Sequence, residues 1–513
     1  MSQAKLRMSD APPGISTSEV AKSAGTTLLA RLGAVLEVIA QPLYVLMFGL
    51  AGFGLYAVLW AAITLLETVL DLGMTAALQR VVPQARSRDD EARALGVAIL
   101  LGVGPCLIAA AVGCLCAPMI APFFNAANAD AARLTGAIRL FVWALPLWAF
   151  IEIATSALRS KRVFGAEIRL RIFWEQLIRL GLASVLFASG LGTISLFYAH
   201  LASLTIICGL CIRLLAKHFD LKVLRHKPWQ GPIFAETLKA GLAVLPVNLL
   251  ARVFSDGPPL LLNWLIPGAA GAVAGGLYAI ARKVSSLVQL VRIAFSYVLA
   301  PLASAASRGA SGEVRNIYAY ATRVSFVIAV PAGAVLAASG IAILRLFGDA
   351  AVVALPALVI LVLTRVFEAV VGSAAPIQQV IGGYRSQLIG SLCGLGAATI
   401  LGMALMPEWG LTGMALAVST GIMVSSAVPV AQLHVFQQVH PFEAPFARVA
   451  VRTVLTAVLG AAAALAAGAL PESVQLGVLL IVLLGSTWLA TRWALPLIDR
   501  ATLGRAGRVL RLV

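Results

Sequence analysis

Five basic residues lie within or beside long apolar stretches, where a charge is costly. They are Arg31, Arg252, Arg282, Lys283 and Arg292. A charge at the centre of a bilayer costs about 2.5–3.5 kcal/mol on insertion scales, so such residues usually serve a function. Arginine binds phosphate oxygens through paired N–H donors, and lysine adds a point charge. Five converging cations would suit a pyrophosphate group. The alternative is that those near span ends reach the water interface.

Acidic residues are also rare in the apolar stretches. Those that could balance these charges or carry a coupling ion are Glu37, Glu67, Asp71, Asp256 and Glu368. Glu67 and Asp71 are four residues apart and therefore share one helical face. They could carry a proton or a sodium ion that drives transport, and pairing with Arg31 is an equally good interpretation.

Three oppositely charged pairs are spaced three or four residues apart, which allows contact within one helix. The pairs are Arg252 with Asp256, Glu175 with Arg179, and Arg365 with Glu368. For each pair, mutual neutralisation is the structural alternative to a role in binding.

No sequence motif indicates catalysis. The chain has neither a phosphate-binding Gly-Lys-Ser/Thr loop nor a His-Glu-x-x-His motif, and its five histidines do not form a ligand pattern. We therefore expect no enzymatic activity, no metal site and no cofactor apart from a coupling H⁺ or Na⁺. The net charge of +17 does not indicate nucleic acid, because the basic residues concentrate in particular connections.

The elements that must position these residues are membrane-spanning helices. The 513 residues are 60% hydrophobic and only 12% charged, far from the composition of soluble domains. About 20 apolar residues are needed for each helical span. We therefore predict an all-α polytopic membrane protein of about fourteen spans, near residues 26–50, 53–78, 94–117, 137–158, 172–190, 194–216, 237–262, 275–305, 319–344, 353–375, 387–406, 410–432, 449–470 and 474–496.

These spans predict two six-helix lobes followed by a helical pair. The predicted order is a tail (1–25), an N-lobe (26–216), a linker (217–236), a C-lobe (237–432), a connection (433–448), spans 13 and 14 (449–496) and a second tail (497–513). Positive residues are retained on the cytoplasmic side. Most of the 39 lysines and arginines fall on one side, and the opposite connections hold only Arg133, Arg139 and Arg345. Both termini, the linker and the connection are therefore predicted to be cytoplasmic.

The two lobes also share sequence landmarks. Leu28 to Arg31 reads like Leu249 to Arg252, and Gly54-Leu55-Tyr56 reads like Gly276-Leu277-Tyr278. Each lobe has an even number of spans, so the repeat is parallel, about an axis normal to the membrane. The substrate site is expected between the lobes.

The segment from Gly52 to Arg80 contains Phe53-Gly54-Leu55-Tyr56 and Asp71-Leu72-Gly73, and it resembles the second-span region of bacterial polysaccharide flippases. Further landmarks of that family in the second half are Gly276-Leu277-Tyr278, Pro301, Leu346-Phe347-Gly348, and Gly410-Leu411-Thr412-Gly413-Met414-Ala415. The family belongs to the multidrug, oligosaccharidyl-lipid and polysaccharide exporter superfamily. The resemblance implies two lobes in a V around a cationic cleft, with spans 1, 2, 7 and 8 facing it.

The resemblance also implies a function. Such flippases move an undecaprenyl-pyrophosphate-linked oligosaccharide across the bacterial inner membrane for O-antigen or exopolysaccharide synthesis, alongside membrane lipids and polysaccharide polymerase machinery. The alternatives are a cation-coupled multidrug antiporter of the same superfamily and a membrane scaffold that transports nothing. One departure from the family is Gly257-Pro258-Pro259 after Asp256, which predicts a break in span 7.

Overall fold

The computed structural model describes residues 33–161, 163, 168–221, 231–306, 311–381, 383–442, 444–501, 503, 507–508 and 511–512. Within these ranges every regular element is a helix. The helices of the first half are α1 (Gly33–Leu70), α2 (Met74–Val81), α3 (Arg88–Ala98), α4 (Gly104–Leu115), α5 (Ala117–Ile120), α6 (Asn128–Phe141), α7 (Ala144–Ser160), α8 (Glu175–Ala188) and α9 (Ile194–His218). A π-helical segment, Ile99–Val103, joins α3 to α4, and another, Ile168–Trp174, leads into α8.

The second half continues in the same way. Its helices are α10 (Pro232–Leu265), α11 (Ala269–Ala306), α12 (Ser311–Ala338), α13 (Gly340–Arg345), α14 (Leu355–Val371), α15 (Ala374–Ile381), α16 (Gly383–Gln437), α17 (Ala444–Ala467), α18 (Glu472–Ala494) and α19 (Leu497–Ala501). Large aliphatic side chains point outward on many of them, as a lipid-facing surface requires.

Ten helices of the described chain are long and apolar enough to cross a membrane. Two of them contain a glycine with non-helical angles, Gly49 (φ 72°, ψ 163°) in α1 and Gly410 (φ 48°, ψ −119°) in α16. At 1.5 Å per residue, the 38 residues of α1 would measure about 57 Å, twice the hydrocarbon thickness. Each of these helices therefore supplies two predicted spans. With Ile168–Ala188 and α11, the helices account for all fourteen, which confirms the predicted fold class.

The predicted break in span 7 is wrong. Helix α10 runs from Pro232 to Leu265 with Pro258 and Pro259 inside it. The next helix, α11, packs closely against α10 at this point. If Gly275 of α11 carried a Cβ atom, that atom would lie 3.0 Å from the Pro259 carbonyl oxygen. Proline is tolerated in membrane helices where neighbours compensate for the lost backbone hydrogen bond.

The two halves meet where α1 packs against α10 and α11. The backbones come close at Gly54 and Gly276, where a Cβ on Gly276 would lie 2.7 Å from the Gly54 Cα. Nearer the predicted cytoplasmic end, a Cβ on Gly73 would lie 2.3 Å from the Gly241 carbonyl oxygen. These glycines allow backbones from opposite halves to touch, and the polar residues of spans 2, 7 and 8 are gathered along that seam.

Candidate functional site

Asp256 forms the centre of a buried ionic cluster between the halves. Only 4% of this residue is exposed. Its Oδ1 lies 3.1 Å from Arg282 Nη1, and its Oδ2 lies 3.3 Å from Arg252 Nη1. The Thr64 hydroxyl of α1 donates to the same Oδ2 at 2.9 Å. The predicted pairing of Arg252 with Asp256 is therefore present, and Asp256 also ties α10 to α1 and α11.

A cavity of about 190 Å³ lies beside this cluster, and its charged lining is basic. Among the described residues that line it, the charged ones are Arg179, Arg282, Lys283 and Arg365. The remaining lining is largely aromatic and polar, and includes Gln41, Tyr44, Phe53, Tyr56, Trp60, Ser255, Ser286 and Gln289. Four cations and several aromatic rings therefore face one enclosed space between the lobes. We call this space the cationic cavity.

Neighbouring side chains hold Arg179 in place at the cationic cavity. Its Nη1 donates to the Tyr56 hydroxyl at 2.9 Å and lies 3.6 Å from Glu175 Oε1. The ring of buried His200 lies 3.3 Å from the same nitrogen. Tyr56 in turn lies 3.0 Å from the other ring nitrogen of His200. This network fixes the guanidinium, as a preorganised anion site needs.

Arg365 is oriented from the opposite lobe. Its Nη1 lies 2.6 Å from Glu368 Oε2, and Gln289 of α11 donates to the same oxygen at 2.7 Å. Sequence reasoning treated Arg179 and Arg365 as partners of nearby acids and did not include them in the cluster. Both pairings exist, yet both arginines also reach the cationic cavity. The spacing of three or four residues accounts for the ion pairs but does not indicate a contact with the cavity. Only the location of the two arginines within apolar spans could have indicated that second role.

A second cavity, of about 300 Å³, carries the acidic residues. Glu67, Asp71, Glu152 and Arg252 line it together with Ser255. Ser255 also borders the cationic cavity, so α10 separates two parts of one cleft. We call this second space the acidic cavity.

The carboxylates of the acidic cavity differ in their partners. Glu152 is held by Arg171 through two contacts, of 2.6 and 3.0 Å. Asp71 accepts the Thr75 backbone N–H at 3.1 Å through Oδ2. Its buried Oδ1 has no hydrogen-bond partner among the described residues. A Cβ on Gly102 would lie 2.8 Å from that oxygen, so the glycine leaves the carboxylate room.

A third cavity, of about 330 Å³, lies within the second half. It is lined by Arg365, Glu368, Gln289 and Ser255, among others. Arg365 and Gln289 also border the cationic cavity. Glu368, predicted to balance charge, therefore occupies a neighbouring part of the same cleft.

The structure brings together some of the predicted site residues and not others. Arg282 and Lys283 share the cationic cavity, whereas Arg252 lies on the acidic cavity. Arg31 is not among the residues that the structure describes. For Glu37 and Arg292 the structure describes the backbone but not the side chain.

A polar contact joins the halves at the predicted outer end. Asn125, between α5 and α6, donates through its backbone N–H to Asn263 Oδ1 at 3.0 Å and through its amide to the Asn263 carbonyl at 2.6 Å. The Asn263 amide returns a bond to the Asn125 carbonyl at 2.8 Å, and Gly268 N–H donates to Asn125 Oδ1. Asn263 is 1% exposed. This asparagine clamp holds span 7 to the first half.

The fold is shared with solved transporter structures. The lipid II flippase MurJ in its inward closed conformation matches with a TM-score of 0.67 and 12% identity, over 90% of this chain and 98% of that one. A mutant of the Vibrio cholerae MATE transporter VcmN matches at 0.63 and 15% identity, over 82% and 98%. An inward-facing multidrug resistance MATE transporter of the MOP superfamily matches at 0.57 and 19%, over 81% and 94%. The chain therefore shares its fold with these transporters.

Sequence comparison identifies the family of the chain. No curated protein matches the chain by sequence. A family model described as polysaccharide biosynthesis protein matches residues 47–354, more than half of the chain. That match contains the Gly54 and Gly276 contact, the Asp256 cluster and three of the four cations of the cationic cavity. The chain therefore belongs to the polysaccharide biosynthesis protein family.

Proposed function

We propose that this protein is a flippase that moves a polyprenyl-pyrophosphate-linked oligosaccharide across a bacterial inner membrane, from the cytoplasmic to the periplasmic leaflet. The observation that carries the proposal is the cationic cavity, in which Arg179, Arg282, Lys283 and Arg365 face one space between the lobes. A pyrophosphate carries several negative charges and needs many donors. Arginine supplies them in a planar fork that fits phosphate oxygens.

The aromatic lining supports a saccharide rather than a bare phosphate as cargo. Tyr44, Tyr56 and Trp60 border the same cavity as the cations. An aromatic ring offers an apolar face, and tyrosine and tryptophan add a polar edge, so they can bind the C–H faces and hydroxyls of a sugar. The polyprenyl tail would remain in the bilayer while the pyrophosphate and sugar pass through the cleft.

Transport would occur by alternating access between the two lobes. The asparagine clamp, Asn125 with Asn263, closes one end of the seam, and Gly73 packs on Gly241 towards the other. Opening one contact while the other stays closed would expose the cleft to one side at a time. In this proposal the connections rich in lysine and arginine, and both termini, are cytoplasmic. Polysaccharide polymerase machinery would use the released cargo.

We assign the driving ion to the acidic cavity. Glu67 and Asp71 line it beside Arg252, and an H⁺ or Na⁺ bound there would change the charge facing the seam between the lobes. The cycle would then couple inward movement of a cation to outward movement of the anionic cargo.

A cation-coupled multidrug antiporter is the second candidate, and the buried carboxylates of the acidic cavity favour it. Organic cations bind to carboxylates in apolar surroundings. The four cations of the neighbouring cavity weigh against this candidate because they would repel such a substrate. The two functions therefore predict opposite preferences for the charge of the cargo.

Reconstituted liposomes containing a fluorescent undecaprenyl-pyrophosphate oligosaccharide test the proposal. An external quencher would report exposure of the sugar, and protein-dependent quenching is expected. Arg282→Ala and Arg365→Ala should each lower the rate at least tenfold, since a charge-assisted contact contributes roughly 1.5–3 kcal/mol. The control is Arg345→Ala, because Arg345 is half exposed and pairs only loosely with Asp349, at 3.8 Å. Transport of a cationic dye without movement of the lipid would instead select the antiporter.

A further inference from the structure

A third group of basic residues lies away from the cleft, where α17, α18 and α19 meet. Arg448, Arg452 and Arg500 line a cavity of about 420 Å³ together with Trp493 and Leu497. We propose that this cavity binds the phosphodiester headgroup of an anionic phospholipid. The site is separate from the proposed cargo path and does not depend on it.

The chain geometry directs two arginines to this place. Arg448 and Arg452 are four residues apart on α17 and therefore share a face. Helix α18 ends at Ala494, and Leu495 is extended (φ −76°, ψ 133°). The chain therefore turns before α19 and carries Arg500 back towards α17, so that three cations converge from two different segments.

Two of these arginines are held in position. Arg452 Nη1 donates to the Trp493 carbonyl at 3.1 Å, and its guanidinium lies 5.6 Å from the Trp493 ring centre. Arg500 Nη1 donates to the Leu512 carbonyl at 3.0 Å. Arg500 Nε is buried and has no hydrogen-bond partner among the described residues. A buried donor without a partner is costly, so this guanidinium keeps hydrogen-bonding capacity that its described neighbours do not use.

Acidic side chains do not offset this charge. None of the described residues that line the cavity is an aspartate or a glutamate. The nearest in sequence, Asp499, is 5% exposed and is engaged elsewhere, because both its oxygens accept from Arg323 of α12, at 2.6 and 3.0 Å. That pair fixes α19 against the bundle. The three arginines thus line one cavity whose described lining contains no acidic side chain.

The surroundings indicate a lipid rather than a free phosphate. Leu497 and Ile498 of α19 are 64% and 79% exposed, and Val451 on α17 is 61% exposed. Trp493 lines the cavity together with the arginines and is 45% exposed. Tryptophan is typical of the level at which headgroups meet acyl chains, and basic pockets between spans on the cytoplasmic side bind anionic headgroups. A phospholipid would place its phosphodiester in the cavity and its acyl chains over Leu497 and Ile498.

Native mass spectrometry of the purified full-length protein in detergent tests the site. The ligands are phosphatidylglycerol, phosphatidylcholine and, in a separate arm, inorganic phosphate. We expect selective retention of phosphatidylglycerol. Each arginine near an anionic lipid contributes about fivefold in affinity, so Arg448→Ala should weaken binding about fivefold. A triple variant that also carries Arg452→Ala and Arg500→Ala should abolish the preference over phosphatidylcholine.

Arg213→Ala is the matched control. Arg213 is an exposed arginine of α9 and does not line the cavity. Its loss should leave lipid binding unchanged. If the triple variant does not fold, Arg448→Ala decides the matter, because Arg448 is exposed. Equal retention of both lipids, equal losses in Arg448→Ala and Arg213→Ala, or binding of inorganic phosphate as tight as that of the lipid would each overturn the proposal.

Discussion

Gly276 packs directly against Gly54, backbone to backbone. A Cβ on Gly276 would lie 2.7 Å from the Gly54 Cα, and one on Gly54 would lie 3.4 Å from the Gly276 Cα. The two glycines occupy the same position in the repeated Gly-Leu-Tyr sequence of the two halves. In a structure with two related halves, equivalent residues meet only close to the axis that relates them. The predicted repeat therefore has its axis at this contact, which is the junction about which the lobes would rock in the proposed cycle.

Replacing Gly276 should damage this junction. Gly276→Val would force the valine against the Gly54 backbone, and overpacking of this kind typically costs 1–3 kcal/mol. We expect a lower midpoint of thermal unfolding in detergent. Gly396→Val is the control, because Gly396 lies in α16 and a Cβ there would meet nothing within 4 Å. An equal fall in both variants would show that the junction has no special role.

Loosening the asparagine clamp should favour opening of the outer end. Asn263→Ala removes two side-chain hydrogen bonds with Asn125, each contributing about 0.5–1.5 kcal/mol. We expect the population open to the outside to rise roughly tenfold. A single cysteine at Gln41, which lines the cationic cavity, would then react faster with an external maleimide. Asn316→Ala, at an exposed site on α12, should leave the rate unchanged. A rate unaffected by Asn263→Ala would contradict a gating role.

The sequence predicted the helices and the spans well, because twenty apolar residues can satisfy their backbone in lipid only as a helix. The repeat predicted from the sequence matches Gly54 with Gly276, and the structure brings these two residues into contact. It failed at Pro258 and Pro259, where packing of α11 compensates for the proline pair. The expectation that proline breaks a helix applies to an isolated helix. The packing of α11 against the proline pair cannot be read from the sequence of α10 itself.

The candidate site was predictable only in part. Arg282 and Lys283 stand out because they are charged residues in an apolar span. Arg179 was missed because Glu175 offers a sufficient local partner, and sequence spacing does not reveal that the same guanidinium also reaches a cavity. Asn125 and Asn263 carry no charge and are far apart in the chain, so nothing in the sequence indicated their contact. Such sites depend on helix packing that brings distant segments together.

Removing the Asp256 carboxylate should destabilise the protein. Asp256→Ala would leave Arg252 and Arg282 without the carboxylate that lies between them, and breaking a buried ion pair in this way typically costs 3–5 kcal/mol. A second substitution, Arg252→Leu, should restore part of the stability because it removes one of the unpaired charges. Thermal unfolding of the two single variants and the double variant measures the coupling. Strictly additive effects would mean that the cluster does not act as a unit.

Neutralising the acidic cavity should uncouple transport from its driving ion. The buried Oδ1 of Asp71 has no partner among the described residues, and an ionised carboxylate in that situation is costly, so a bound cation would stabilise it. We expect Glu67→Gln and Asp71→Asn to abolish the acceleration of flipping by an imposed proton or sodium gradient, while slow exchange without a gradient persists.

The control for these variants is Glu91→Gln, because Glu91 pairs with Lys161 away from the acidic cavity. Gly102→Ala is an independent probe, since its methyl group would lie 2.8 Å from Asp71 Oδ1 and should obstruct the cation without removing the carboxylate. It should reduce the response to the gradient as Asp71→Asn does. A full response in Glu67→Gln and Asp71→Asn would place the coupling site elsewhere, whereas a response lost in Gly102→Ala as well would locate the cation at the free oxygen of Asp71.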